Sequence, residues 1–124
     1  MSAKISSSEW EVMDVIWAKA PVTATEVFAG LPKGHGWKQK TVNTFLTRLV
    51  EKGALAVDRK ERAFSYRARV SREECVRAES ATFLEKVFRG ATGSLVLHFC
   101  EQGNLTQDEI RELEHLLNSR KGKR

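Results

Sequence analysis

Around Gly53 the apolar residues of this chain change period, and that change limits the folds open to it. Upstream, Val42, Phe45, Leu46 and Leu49 recur at i, i+3, i+4 and i+7, which predicts an amphipathic helix over about Gln39 to Lys52. Downstream, Leu55 and Val57 alternate with Ala54, Ala56 and Asp58, and Phe64, Tyr66 and Ala68 alternate with Ser65 and Arg67. These runs predict two strands joined by the polar tip DRKERA. The tip lacks an Asn-Gly or Asp-Gly pair, so a turn longer than two residues is expected. Gly53 stands where a helix C-terminus favours a left-handed residue.

Four hydroxyl-x-x-Glu patterns punctuate the rest: Ser8 with Glu11, Thr23 with Glu26, Ser71 with Glu74 and Thr106 with Glu109. In each, the hydroxyl can accept from a backbone N–H of the first turn while the carboxylate reaches back. A first helix is expected from about Glu9 to Lys19, with Trp10, Met13, Ile16 and Trp17 inward, ended by Pro21. A short second helix runs from about Ala24 to Ala29, stopped by Gly30 and Pro32. Three helices followed by a hairpin describe a winged helix-turn-helix over residues 1–70. Helical periodicity returns over 71–119, in pieces at Arg72 to Arg89, SLVLHFCE and Gln107 to Ser119, before the basic tail 120–124. The fold class is therefore mostly α, with the hairpin as its wing.

Charge locates the working face. Residues 33–69 carry ten Lys/Arg against three Asp/Glu, whereas residues 70–119 carry five against nine. A local positive field suits a polyanion. On the third helix, Lys40, Thr44, Thr47 and Glu51 lie opposite the apolar stripe, flanked by Asn43 and Arg48. Such a face suits the major groove of double-stranded DNA. Lys38, Gln39, Asn43 and Thr44 are placed to touch base edges or nearby phosphates; Lys40, Thr41, Thr47 and Arg48 to hold phosphates. Arg59, Lys60, Arg62 and Arg67 form the basic wing. The C-terminal helices carry more apolar residues than a piece this small can bury: Phe83, Val87, Leu95, Leu97, Phe99, Ile110, Leu113 and Leu117. A second copy of the chain is expected to cover them, giving a homodimer that reads a dyad-symmetric site.

Other classes lack their signatures. His35, His98 and His115 form no Ser/His/Asp ordering and no His-Glu-x-x-His, so no catalytic residues are assigned. His98 and Cys100 lie two apart and so diverge on a helix; no metal site and no cofactor are assigned. A repressor responsive to metal or thiol chemistry through Cys75, Cys100 or His98 is the alternative, as is a winged helix used for protein contact. Two cysteines without paired spacing fit a reduced compartment. No apolar run approaches the ~20 residues of a membrane span, and MSAKISSSEW lacks a signal's apolar block. A cytoplasmic protein with no membrane insertion and no small-molecule substrate is expected.

Three blocks carry a family resemblance: ISSSEWEVMDVIW (Ile5 to Trp17), KTVNTFLTRLVEKG (Lys40 to Gly53) and SLVLHFCEQGNLTQDEIRELEHLL (Ser94 to Leu117). They resemble the penicillinase and methicillin-resistance repressors, the BlaI/MecI family, with its copper-responsive CopY relatives. The resemblance implies a homodimeric repressor of transcription that binds operator DNA through its winged helix. It further implies release by a membrane sensor-transducer with a metalloprotease domain, through cleavage in the dimerisation region. The family's Asn-Phe cleavage pair corresponds here to His98-Phe99. The Ser-Pro that often opens the family's recognition helix is Lys38-Gln39, so its preferred cap is missing. An arginine often found within that helix is Asn43, a side chain suited to bidentate pairing with adenine. The cysteine-rich C-terminal motif of the copper-responsive relatives is absent from NSRKGKR.

Overall fold

The computed structural model describes residues 4–121, so residues 122–124 of the basic tail lie outside the described residues. The chain forms two compact units, residues 1–80 and 81–124. The first contains α1 (Ser7–Lys19), β1 (Val22–Thr23), α2 (Ala24–Gly30), α3 (Gln39–Glu51), β2 (Leu55–Asp58) and β3 (Ser65–Ala68). It also takes the opening turns of α4 (Arg72–Phe88), where Cys75 joins the core. The boundary between the two units falls after Ser80, inside α4.

The core forms because three apolar stripes meet. Val12, Met13 and Ile16 of α1, Val27 of α2, and Val42, Leu46 and Leu49 of α3 are fully buried. Each such side chain contributes on the order of 1.5–3 kcal/mol. Trp10 and Trp17 are half-buried and meet edge to face with ring centroids 5.6 Å apart. The Trp17 indole N–H donates to the Val70 carbonyl at 2.9 Å, tying α1 to the end of the hairpin. Gly53, at φ +85°, ends α3 and donates its N–H to the Val50 carbonyl. Chain direction then reverses directly into β2.

Several boundaries differ from the sequence reading. The capping box of α1 is Ser6 with Glu9 instead of Ser8 with Glu11: Ser6 N–H donates to the Glu9 carboxylate at 2.9 Å, and Glu9 N–H to Ser6 Oγ at 3.2 Å. Glu9 is only 2% exposed and also receives the Lys52 ammonium, so tertiary packing selects the earlier box. The boxes at Thr23, Ser71 and Thr106 form as read. The sheet has a third strand: β1 pairs antiparallel with β3 (Val22 opposite Tyr66), which pairs antiparallel with β2 (Val57 opposite Tyr66), in the order β1-β3-β2. Two residues are too few to show alternation, so β1 was invisible in the pattern. Phe64 lies outside β3 and is 45% exposed, because pairing begins at Ser65.

The second unit comprises the later part of α4, α5 (Thr92–Glu101) and α6 (Gln107–Arg120). Neither α5 nor α6 contains a buried residue. Phe83, Val87, Leu97, Phe99 and Leu117 are exposed, and Leu95, Ile110 and Leu113 only half-buried. Val96 and Leu116 add to this apolar surface. Among the described residues no helix is long and apolar enough to cross a membrane.

Candidate nucleic-acid interface

The outward face of α3 is built by the stripe that buries its other side. With Val42, Leu46 and Leu49 inside, Lys40, Asn43, Thr44, Thr47 and Arg48 are exposed along one shallow groove that ends at Glu51. Thr41 is half-buried beside this row. Lys38 occupies the N-cap with φ −91° and ψ 161° and makes no side-chain cap bond, as the missing serine leads one to expect. Ahead of it, Trp37 packs edge-on against Phe45 at 5.1 Å, and the Trp37 N–H donates to His35 Nδ1 at 2.9 Å. These contacts set the angle at which the chain enters α3.

Two internal bonds decide what the α3 face presents. The Thr44 hydroxyl donates to the Lys40 carbonyl and that of Thr47 to the Asn43 carbonyl, both at 3.1 Å. Their protons are used within the helix, so outward they offer a methyl group and oxygen lone pairs. Gln39, in the first turn of α3, is half-buried. Its Nε2 donates to the Ala24 carbonyl on α2 at 3.1 Å and to Asn43 Oδ1 at 3.0 Å. Its NH2 is thus engaged within the protein.

The wing stands beside this face. Arg59, Lys60 and Arg62 are exposed in the turn between β2 and β3, where Asp58 Oδ1 accepts from the Lys60 N–H at 2.9 Å. The Arg59 guanidinium lies over the Phe64 ring at 5.5 Å, a contact that limits its rotamers. Between α2, α3 and the wing runs an open groove of about 380 Å³ lined by Thr23, Thr25, Asn43, Thr47, Arg62 and Tyr66, among others. Strand alternation turns Arg67 to the face of β3 opposite Tyr66, away from this groove. Thr25 escaped the sequence reading; its only signal was its place in the first turn of α2, two residues after the cap Thr23.

The electrostatic perturbations lie off this face. Burial pushes the Glu9 carboxyl up, but the Lys52 ammonium and the Ser6 donors outweigh it and hold the group below its ordinary 4.5. Hydrogen bonds from Ser71 lower exposed Glu74 likewise. Burial, reinforced by the Glu74 charge, raises the Cys75 thiol above its ordinary 9.0. Among the described residues no three His, Cys, Asp or Glu side chains are grouped to hold a metal.

The profile of the penicillinase repressor family matches residues 5–119. This chain belongs to that family. The methicillin resistance regulatory protein MecI of Staphylococcus aureus is 38% identical over 117 residues, which span 94% of this chain and 95% of that one. The penicillinase repressor of Bacillus licheniformis is 36% identical over 121 residues, 98% of this chain and 94% of its own. Among solved structures, the DNA-binding domain of the repressor BlaI matches with a TM-score of 0.52 and 37% identity, covering 60% of this chain and 93% of that one. The monomeric Bacillus licheniformis BlaI bound to the blaP half-operator matches with a TM-score of 0.52 and 36% identity, covering 60% of this chain and 90% of its own. The family is one of transcriptional repressors, not enzymes. The expected cleavage pair, His98-Phe99, lies inside α5 with both side chains exposed and ring centroids 5.4 Å apart.

Proposed function

We propose that this DNA-binding transcriptional repressor acts in the cytoplasm as a homodimer on a dyad-symmetric operator, and that proteolysis in its C-terminal helices releases it. The observation that carries the DNA reading is the exposed row Lys40, Asn43, Thr44, Thr47 and Arg48 beside a wing bearing Arg59, Lys60 and Arg62. A relative bound to a half-operator shares this part of the chain at 36% identity. In the proposed complex the N-terminal part of α3 enters the major groove, Lys38, Lys40, Thr41 and Arg48 fix its register on phosphates, and the wing follows the backbone. Uncovered Leu97 and Leu117, 64% and 55% exposed, support a second copy as what covers the C-terminal helices. Two copies related by a two-fold axis offer two copies of α3 to half-sites about one helical turn of DNA apart.

For release, a membrane sensor-transducer with a metalloprotease domain is the proposed trigger, with His98-Phe99 as the bond. That bond sits within α5, so a protease needs about a turn of the helix unwound to reach it. Cleavage there would divide the apolar surface that a second copy covers.

Selection of bound fragments from random duplexes, followed by sedimentation of the complex, tests the reading. A symmetric site bound by two chains is expected. Failure to retain any duplex at low salt, or a single chain on an asymmetric site, refutes it. Arg62→Ala is expected to weaken binding to all sequences alike and to flatten the salt slope by about one unit.

A further inference from the structure

Asn43 is the one carboxamide on the exposed row of α3, and its orientation is set by a neighbour. The Ala24 carbonyl can only accept a hydrogen bond, so the end of the Gln39 amide facing it at 3.1 Å must be the NH2. The same nitrogen lies 3.0 Å from the Asn43 side chain. Asn43 must therefore turn its oxygen, Oδ1, toward Gln39. Its own NH2 then points away from Gln39. Polarity passes along a chain of three groups, from a backbone carbonyl whose chemistry has no alternative, to a half-buried glutamine, to an exposed asparagine.

We propose that Gln39 is a positioning residue that presents Asn43 to DNA as a pair of donors. At the base pair under Asn43 this chain then selects guanine, whose N7 and O6 both accept. A free asparagine would favour adenine, which requires Oδ1 to accept from N6 while Nδ2 donates to N7. Here Oδ1 is turned to Gln39 and one of its lone pairs is already engaged. The bond from Gln39 also holds the Asn43 rotamer before DNA arrives, which lowers the entropy lost on contact. Both residues lie on α3, four apart, and Ala24 lies in the first turn of α2, so the device is anchored by the packing of those two helices. It rests on the reading of α3 as the recognition helix.

The test is quantitative competition with duplexes carrying the selected site, each position changed in turn to the other three base pairs. It is run on the full-length protein and on Gln39→Leu, Asn43→Ala and Asn43→Asp. The position lost in Asn43→Ala identifies the base pair concerned. There the parent protein is expected to prefer guanine by about tenfold. Gln39→Leu keeps the bulk but frees Oδ1, and is expected to shift the preference toward adenine by severalfold while every other position stays unchanged. Asn43→Asp keeps an acceptor for Gln39 but presents oxygen outward, and is expected to turn the preference to cytosine, whose N4 donates. A merely structural role for Gln39 would weaken all positions equally. The proposal is overturned if the parent protein prefers adenine there, or if Gln39→Leu leaves the preference intact or lowers all positions together. It is likewise overturned if Asn43→Ala changes no position. Absence of any sequence preference would instead remove the underlying DNA reading, and this proposal with it.

Discussion

The Glu9–Lys52 pair offers the sharpest energetic test of the N-terminal unit. Glu9 sits at the third position of α1, and Lys52 caps α3, so their contact joins the two helices that frame the core. Replacing Lys52 with methionine keeps much of the side-chain bulk but leaves the Glu9 carboxylate at 2% exposure with Ser6 as its remaining donor. Breaking a fully buried pair costs on the order of 3–5 kcal/mol. The Lys52 side chain is 33% exposed, so water can replace part of the ammonium, and about 2 kcal/mol is the expected loss. With a urea slope near 1 kcal/mol/M for so small a unit, the midpoint falls by about 2 M. Trp10, Trp17 and Trp37 all lie in this unit, so their fluorescence follows its unfolding alone. Acid supplies the decisive control. The native Glu9 carboxyl is held below 4.5, so its contribution is present above 4.5 and is lost as pH falls through the lower native value. In Lys52→Met the depression by Lys52 is gone, and protonation relieves a buried charge. The gap between parent and variant therefore narrows as pH falls from neutral into the acid range. A gap under about 0.5 kcal/mol at neutral pH, or one that widens in acid, refutes the reasoning.

Three further outcomes are expected. A Cβ on Gly30 would stand 2.8 Å from Val15 Cγ1, a β-branched and buried neighbour, so Gly30→Ala should destabilise the unit by about 1–3 kcal/mol in the same urea assay. In native buffer an aromatic disulfide reagent should modify at most the Cys100 thiol, with Cys75 reacting only as the unit unfolds; rapid reaction at Cys75 would contradict its burial and raised pKa. Phe64→Ala frees Arg59 and should weaken binding to all duplexes about two- to fivefold, without changing base preference, in a gel-shift titration.

Local chemistry made much of the N-terminal unit legible. The stripe Val42, Leu46 and Leu49 placed α3 to within a residue of its end, because an apolar face at that spacing has only one way to be buried. Gly53 marked the end because few other residues accept φ +85°. Where a residue's role depends on groups distant in sequence, pattern failed. Nothing in the pattern marked Glu9 for burial, and only Lys52, forty-three residues away, explains that burial and the earlier start of α1. The two residues of β1 became a strand only because Tyr66 and Ser65 lie alongside them.

For the interface, the amino-acid order alone determined which helix is basic, which of its sides is polar and where the wing begins, since helix and strand periods are properties of the backbone. Tertiary structure decided which atoms that surface offers. Gln39 reads as an outward group until the Ala24 carbonyl of α2 claims its NH2, and Asn43 is ambiguous in orientation until Gln39 orients it. Hydrogen bonds between elements have no period, so their donors and acceptors are assigned only when the elements meet.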